Sequence, residues 1–224
     1  MSSSDYIRWG GMSAVLGSLL GIVVAPLITS AYALSEGDPE LSPPWEPALS
    51  NLLSPLFGFA SPEGVYATYG RLYLLVFLGL LLGFLGLGAQ QRGRSGPLGK
   101  WGLRLSLIGV VLNLLGNLPD YWFGEGTWLE AVGFLIGTVL GFLLLVVGST
   151  MLGIGLLRSG TTPTRVGAWL LALCLPGIIL VTLIGFKNIP SGPALWFCFA
   201  WLVLGSVLWL RRGGPAEQQP PRVR

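Results

Sequence analysis

Long apolar runs alternate with short polar connections along the whole chain. The runs cover about 10–33, 72–89, 101–118, 128–157, 166–186 and 194–210. A helix rises 1.5 Å per residue, so about 17–25 apolar residues suffice to cross a bilayer's hydrocarbon layer. The pattern predicts an all-α, polytopic membrane protein of six transmembrane helices, one bundle over 1–212 with a disordered cytoplasmic tail over 213–224. The first run ends in Ala31-Tyr32-Ala33, the small-x-small form of a signal cleavage site. Its 22 apolar-rich residues from Gly10 to Ala31 exceed the roughly 7–15 of a signal core, which predicts an uncleaved first helix.

The one long connection, 34–70, opens with an acidic, proline-rich stretch from Ser35 to Pro47. Leu49, Leu52, Leu53, Leu56 and Phe57 then recur at helical spacing, which predicts an outer amphipathic segment limited by Pro55. Such a segment can cover the helix ends or receive a partner.

Charge orients the spans. With the N-terminus inside, the cytoplasmic segments hold Arg8, Arg92, Arg94, Lys100, Arg104, Arg158, Arg165, Arg211, Arg212, Arg222 and Arg224, eleven of the 13 basic residues. Only Arg71 and Lys187 fall outside, while Glu36, Asp38, Glu40, Glu46, Glu63, Asp120, Glu125 and Glu130 all do, with Asp5 and Glu217 inside. Positive charge retained on the cytoplasmic side is the main determinant of topology. Both termini are therefore expected in the cytoplasm. Trp9, Trp101, Trp122, Trp128, Trp196 and Trp209 lie at predicted helix ends, where an amphipathic ring favours the headgroup level.

Composition sharpens what is excluded. Charged residues make up 10% of the chain, against about 25% in soluble domains. The net charge of +3 sits at helix ends rather than in a basic stripe, which argues against nucleic acid. No histidine is present, so a His-ligated haem or zinc and any Ser-His or Cys-His catalytic pair cannot form within this chain. Neither GxSxG, HExxH nor a Walker A loop occurs, and Lys100 and Lys187 are at helix ends. Cys174 and Cys198 lie inside apolar runs and are expected to be buried thiols. No catalytic residue, metal site or cofactor is expected.

Small residues recur at four-residue spacing: Gly17 and Gly21, Gly79 and Gly83, and Gly133, Gly137 and Gly141. Such pairs let helix backbones approach closely, within the bundle or against another copy. Helix openings at Arg8-Trp9-Gly10, Lys100-Trp101-Gly102 and Arg165-Val166-Gly167 suggest three repeated helical hairpins. In the third helix Gly102, Ser106, Gly109, Asn113, Gly116, Asn117 and Asp120 share one stripe. If it packs as a hairpin on the fourth, Asn113, Asn117, Asp120 and Glu130 converge. Polar groups at membrane depth are expensive and normally functional, so this cluster is a candidate ion, proton or ligand site. Pro176-Gly177 is a candidate kink in the fifth helix.

Arg-Trp-Gly-Gly at 8–11 and Tyr-Gly-Arg-Leu-Tyr-Leu-Leu at 69–75 resemble segments of many bacterial multi-span proteins, which implies a bacterial cell membrane and carries over no activity. The expectation is a non-catalytic integral membrane subunit or scaffold. It would contact the bilayer, and other membrane subunits or a second copy through its glycine faces and outer loop. The alternative is a small transporter or channel using the polar cluster.

Overall fold

Each apolar run becomes helical, the fifth as two helices, between residues suited to ending one. The computed structural model describes residues 3–36, 43–92, 95–123, 127–160, 162–186 and 191–210, and every regular element among them is helical. Helix α1 (Ser3–Glu36) carries Pro26 within it. A short α2 (Glu46–Leu53) runs into a 3-10 turn, Ser54–Leu56. Helix α3 spans Pro62–Gln90, α4 Pro97–Leu118 and α5 Trp128–Gly133. Helix α4 runs on as a π turn, Pro119–Phe123, and α5 passes through a π segment, Phe134–Gly141, into α6 (Phe142–Ser159). The chain ends with α7 (Arg165–Ala172), α8 (Cys174–Leu183) and α9 (Ser191–Leu210). The side chain of Ser61 caps α3 by accepting from the Gly64 N–H at 3.3 Å, with Pro62 in the first turn. Gly160, at φ 65°, ends α6 in the left-handed conformation that only glycine adopts freely.

Among the described residues five helices are long and apolar enough to cross a membrane, and six if α7 and α8 count as one bent span. Within the bundle α3 packs antiparallel on α1, and α6 antiparallel on α4. The expected third hairpin is looser, because α9 returns to lie chiefly along α1 and so closes the bundle. These registers gather Arg8, Arg92, Lys100, Arg158 and Arg165 at one end and Glu36, Glu63, Asp120 and Glu130 at the other. The expected charges at Arg94, Lys187, Arg211, Arg212, Arg222, Arg224, Asp38, Glu40, Glu125 and Glu217, and the tail 213–224, lie outside the described residues.

Three expectations change. Helix α3 begins at Pro62 instead of near Leu72, which shortens the outer connection. Thr68, Gly70 and Arg71 interrupt the apolar run there, yet Val65 and Tyr69 are buried, so packing carries the helix past them. In the outer segment Leu53 is buried but Leu52 is 71% exposed and Leu56 43%, and the side chain of Leu49 is not described. What pins this segment is Tyr69: its hydroxyl donates to the Leu56 carbonyl at 2.8 Å, and Phe57 and Phe59 stand edge-on to its ring, both at 6.2 Å.

The third is the place of the expected kink in the run 166–186, which falls at Leu173 and not at Pro176-Gly177, with α7 and α8 at 71°. Pro176 has no N–H for the Ala172 carbonyl and its ring crowds that turn. Indole Nε1 of Trp196, on α9, donates to the Leu170 carbonyl at 2.9 Å, with the Trp196 ring lying on Gly177. Trp196→Phe keeps an aromatic ring and removes this donor. Its expected effect is about 1 kcal/mol, seen as faster hydrogen exchange over 170–177 with the rest of the bundle unchanged.

Candidate functional site

The small-and-polar stripe of α4 meets the glycine stripe of α5–α6 along its whole length. Gly99 lies against Gly155, Gly102 against Gly148 and Leu152, Ser106 against Gly148, Gly109 against Gly141 and Leu145, and Gly116 against Gly137. A Cβ added at Gly109 would lie 2.5 Å from the Leu145 nitrogen and 2.7 Å from the Gly141 oxygen. The two backbones thus touch, as small residues at this spacing permit. Midway, the Ser106 and Ser149 hydroxyls pair across the seam at 3.3 Å. Gly17 packs on Gly79, Gly21 on Val76 and Cys198, and Gly83 on Ala14 and Trp201. All seven glycines with expected packing roles therefore face other helices of the same chain.

The four residues of the expected polar cluster divide between different contacts. Asn113 and Asn117 are both buried, each 3% exposed. Asn113 Nδ2 donates to the Gly109 carbonyl on its own helix at 2.8 Å and sits over Gly141. Asn117 turns instead toward α3 and donates to the Gly70 carbonyl at 3.0 Å. Asp120 is half-buried in the π turn, with its backbone nitrogen against Gly133. Glu130 is exposed at the start of α5, near enough for the two carboxylates to act on one another. The structure brings Asp120 and Glu130 together, and sends the asparagines elsewhere.

A second polar group, which hydropathy did not single out, joins α1, α3 and the end of α4. Absence of a side chain at Gly70 admits the ring of Tyr121 onto the α3 backbone. The hydroxyls of Tyr66 and Tyr121 pair at 3.1 Å, and the Tyr66 ring lies 5.6 Å from both Tyr32 and Tyr121. Arg71 Nε donates to the Tyr121 carbonyl at 2.8 Å, and its guanidinium lies 5.6 Å from the Trp122 ring centre. One of the two basic residues that depart from the expected charge rule is thereby placed on the carbonyl end of α4, where a cation is favoured. Tyr73 is fully buried, and neither its hydroxyl nor Asn117 Oδ1 meets a hydrogen-bond partner among the described residues. Four tyrosines within apolar-looking helices were the available signal, since a buried tyrosine needs a partner for its hydroxyl.

Chemically, this end of the bundle offers carboxylates, phenols, an amide and one guanidinium. Among the described residues no group of three or more His, Cys, Asp or Glu could hold a metal ion. Cys174 and Cys198 are free, buried thiols. No family model, curated protein or solved structure matches this chain.

Proposed function

We propose that the chain is a non-catalytic integral membrane subunit or scaffold, seated in a bacterial cell membrane with both termini cytoplasmic. The observation that supports this best is the closure of the α4–α6 seam, where backbones touch and the stripe's asparagines bond within the fold. A seam of this kind favours a rigid body over a path for solute. Because the glycine faces meet helices of the same chain, recognition falls to the outer segment. There Leu52, Leu56 and Phe59 are 71%, 43% and 56% exposed.

Purification from native membranes in mild detergent, with mass spectrometry of what stays bound, tests the reading. The expected result is a stoichiometric membrane-protein partner, lost in a Leu52→Ser/Phe59→Ser double variant that unfolds at the wild-type temperature. A chain that purifies alone would sink it. Topology has its own test, since an even number of crossings puts both termini on one side and an odd number separates them. Fluorescent-protein and alkaline phosphatase fusions at each terminus are expected to report the cytoplasm at both. Opposite sides would make α7–α8 a re-entrant pair.

The proximity of Asp120 and Glu130, at the end of the bundle where Asn117 Oδ1 and the Tyr73 hydroxyl meet no hydrogen-bond partner among the described residues, supports a second reading, a small transporter or channel with a polar site at this end. It predicts pH-dependent flux abolished by Asp120→Asn or Glu130→Gln. Flux in proteoliposomes that ignores both substitutions removes it.

A further inference from the structure

Tyr66, Gly70 and Tyr73 follow one another at steps of four and three on α3, and Asn117 and Tyr121 at a step of four across the end of α4. Each set therefore shares one face. The two faces meet at Gly70, whose carbonyl accepts from Asn117 Nδ2 at 3.0 Å and whose bare backbone receives the Tyr121 ring. Long side chains on a helix lean toward its N-terminus, which on α3 is the outer, acidic end. The Tyr73 phenol thus reaches back toward the level of Gly70 and Asn117. There it stands close enough to Tyr66 and Tyr121 for the three phenols to act on one another.

Tyr73 is 0% exposed and Asn117 3%, and neither the phenol oxygen nor Asn117 Oδ1 meets a hydrogen-bond partner among the described residues. The bond from Nδ2 to Gly70 settles which end of the amide is oxygen, since a carbonyl accepts only from the nitrogen. Asn117 Oδ1 can then only accept, while the phenol can both donate and accept. Burying both without a partner is costly. The pair also selects what it binds. A metal cation would require more oxygens than these two, with the Arg71 guanidinium opposing it from the Tyr121 carbonyl. An anion has no proton to give Oδ1. A water molecule accepts from the phenol and donates to Oδ1, the usual use of water inside proteins. Outward, the Tyr66–Tyr121 hydroxyl pair at 3.1 Å and the half-buried Asp120 lead toward the acidic end.

We propose that Tyr73 and Asn117 bind one internal water molecule, which accepts from the Tyr73 hydroxyl, donates to Asn117 Oδ1 and so joins α3 to α4 beneath the Tyr66–Tyr121 pair. The site holds whether the chain is a subunit or a transporter, because it is read at Tyr73 and not from protein partners or flux.

The test is brief X-ray radiolysis of the full chain in detergent, with mass spectrometry of the hydroxylated residues. Radicals form from water where it stands, so a buried ring is labelled only if water touches it. Tyr73 is expected to be labelled while Phe77 and Phe84, buried rings on the same helix, stay unlabelled, which excludes opening of the helix as the cause. Tyr73→Phe removes one oxygen and keeps the ring, and label at position 73 should then be lost. Tyr73 unlabelled in the wild-type chain, Phe77 labelled equally, or label persisting in Tyr73→Phe overturns the proposal. Thermal unfolding supplies an independent sign. A phenol held by water loses a bond in Tyr73→Phe, so Tm should fall by about 2–4 °C. A phenol without a partner is relieved by the same change, so an unchanged or raised Tm also overturns the site. Asn117→Leu should abolish label at Tyr73, and label persisting there counts against the Asn117 contact. Should that variant not fold, the Tyr73 measurements still decide.

Discussion

Gly109→Ala is expected to destabilise the protein by about 3 kcal/mol, the upper part of the range for overpacking. The added methyl would stand 2.5 Å from the Leu145 nitrogen and 2.7 Å from the Gly141 oxygen, distances no carbon atom tolerates. Neither neighbour is the end of a flexible side chain that could swing aside. Relief requires α4 and α6 to separate, and separation at one point unseats Gly102, Ser106 and Gly116 on the same stripe. Gly58→Ala is the matched control: nothing lies within 4 Å of its added Cβ, so its effect should stay within about 0.5 kcal/mol. In detergent the difference should lower Tm by roughly 6–12 °C for a chain of this size. Equal Tm values for the two variants would mean that α4 and α6 are not in backbone contact.

Arg71→Met should loosen the acidic end of α4 by about 2 kcal/mol, the usual worth of a hydrogen bond from a charged donor. It removes the donor to the Tyr121 carbonyl, the cation at the carbonyl end of the helix and the charge over Trp122. The methionine keeps most of the apolar stem, so the loss reports the guanidinium and not the packing. Amide exchange over 117–123 is expected to accelerate by about 10–30-fold, while exchange at the Arg8 and Arg158 end stays constant. Arg71→Lys should recover only part, since an ammonium lacks the planar fork that serves the carbonyl and the indole together. Unchanged exchange in the methionine variant would mean that another group holds the Tyr121 carbonyl.

These two positions also separate what was legible in the chain from what was not. Gly109 belongs to a stripe visible as spacing alone, and the stripe's polar members suggested a site. Packing gave them another use: Ser106 pairs with Ser149, and Asn113 bonds its own helix over Gly141. Asn117 reached α3 instead of α5 because its face is turned toward Gly70, a glycine outside the small-residue pairs read from spacing. Arg71 registered only as an exception to the charge rule. Its purpose depends on the carbonyl end of a helix some 50 residues away in the chain.

The sequence by itself determined the class of fold, the approximate positions of the apolar helices and the gathering of basic and acidic residues at their alternate ends. Those features follow from local physics, because a backbone in hydrocarbon must satisfy its own hydrogen bonds and a helix does so within one segment. Only the tertiary structure decided which helices share a seam, that α9 closes on α1 and that α3 begins at Pro62. It also decided that the run 166–186 breaks at Leu173 with Trp196 donating to the Leu170 carbonyl, and that Tyr66, Arg71 and Tyr121 assemble around Gly70. Each of these depends on a partner distant in the chain, and hydropathy does not select that partner when every helix is apolar on most of its faces. Close packing of small residues and the need of each buried polar group for a neighbour make the choice.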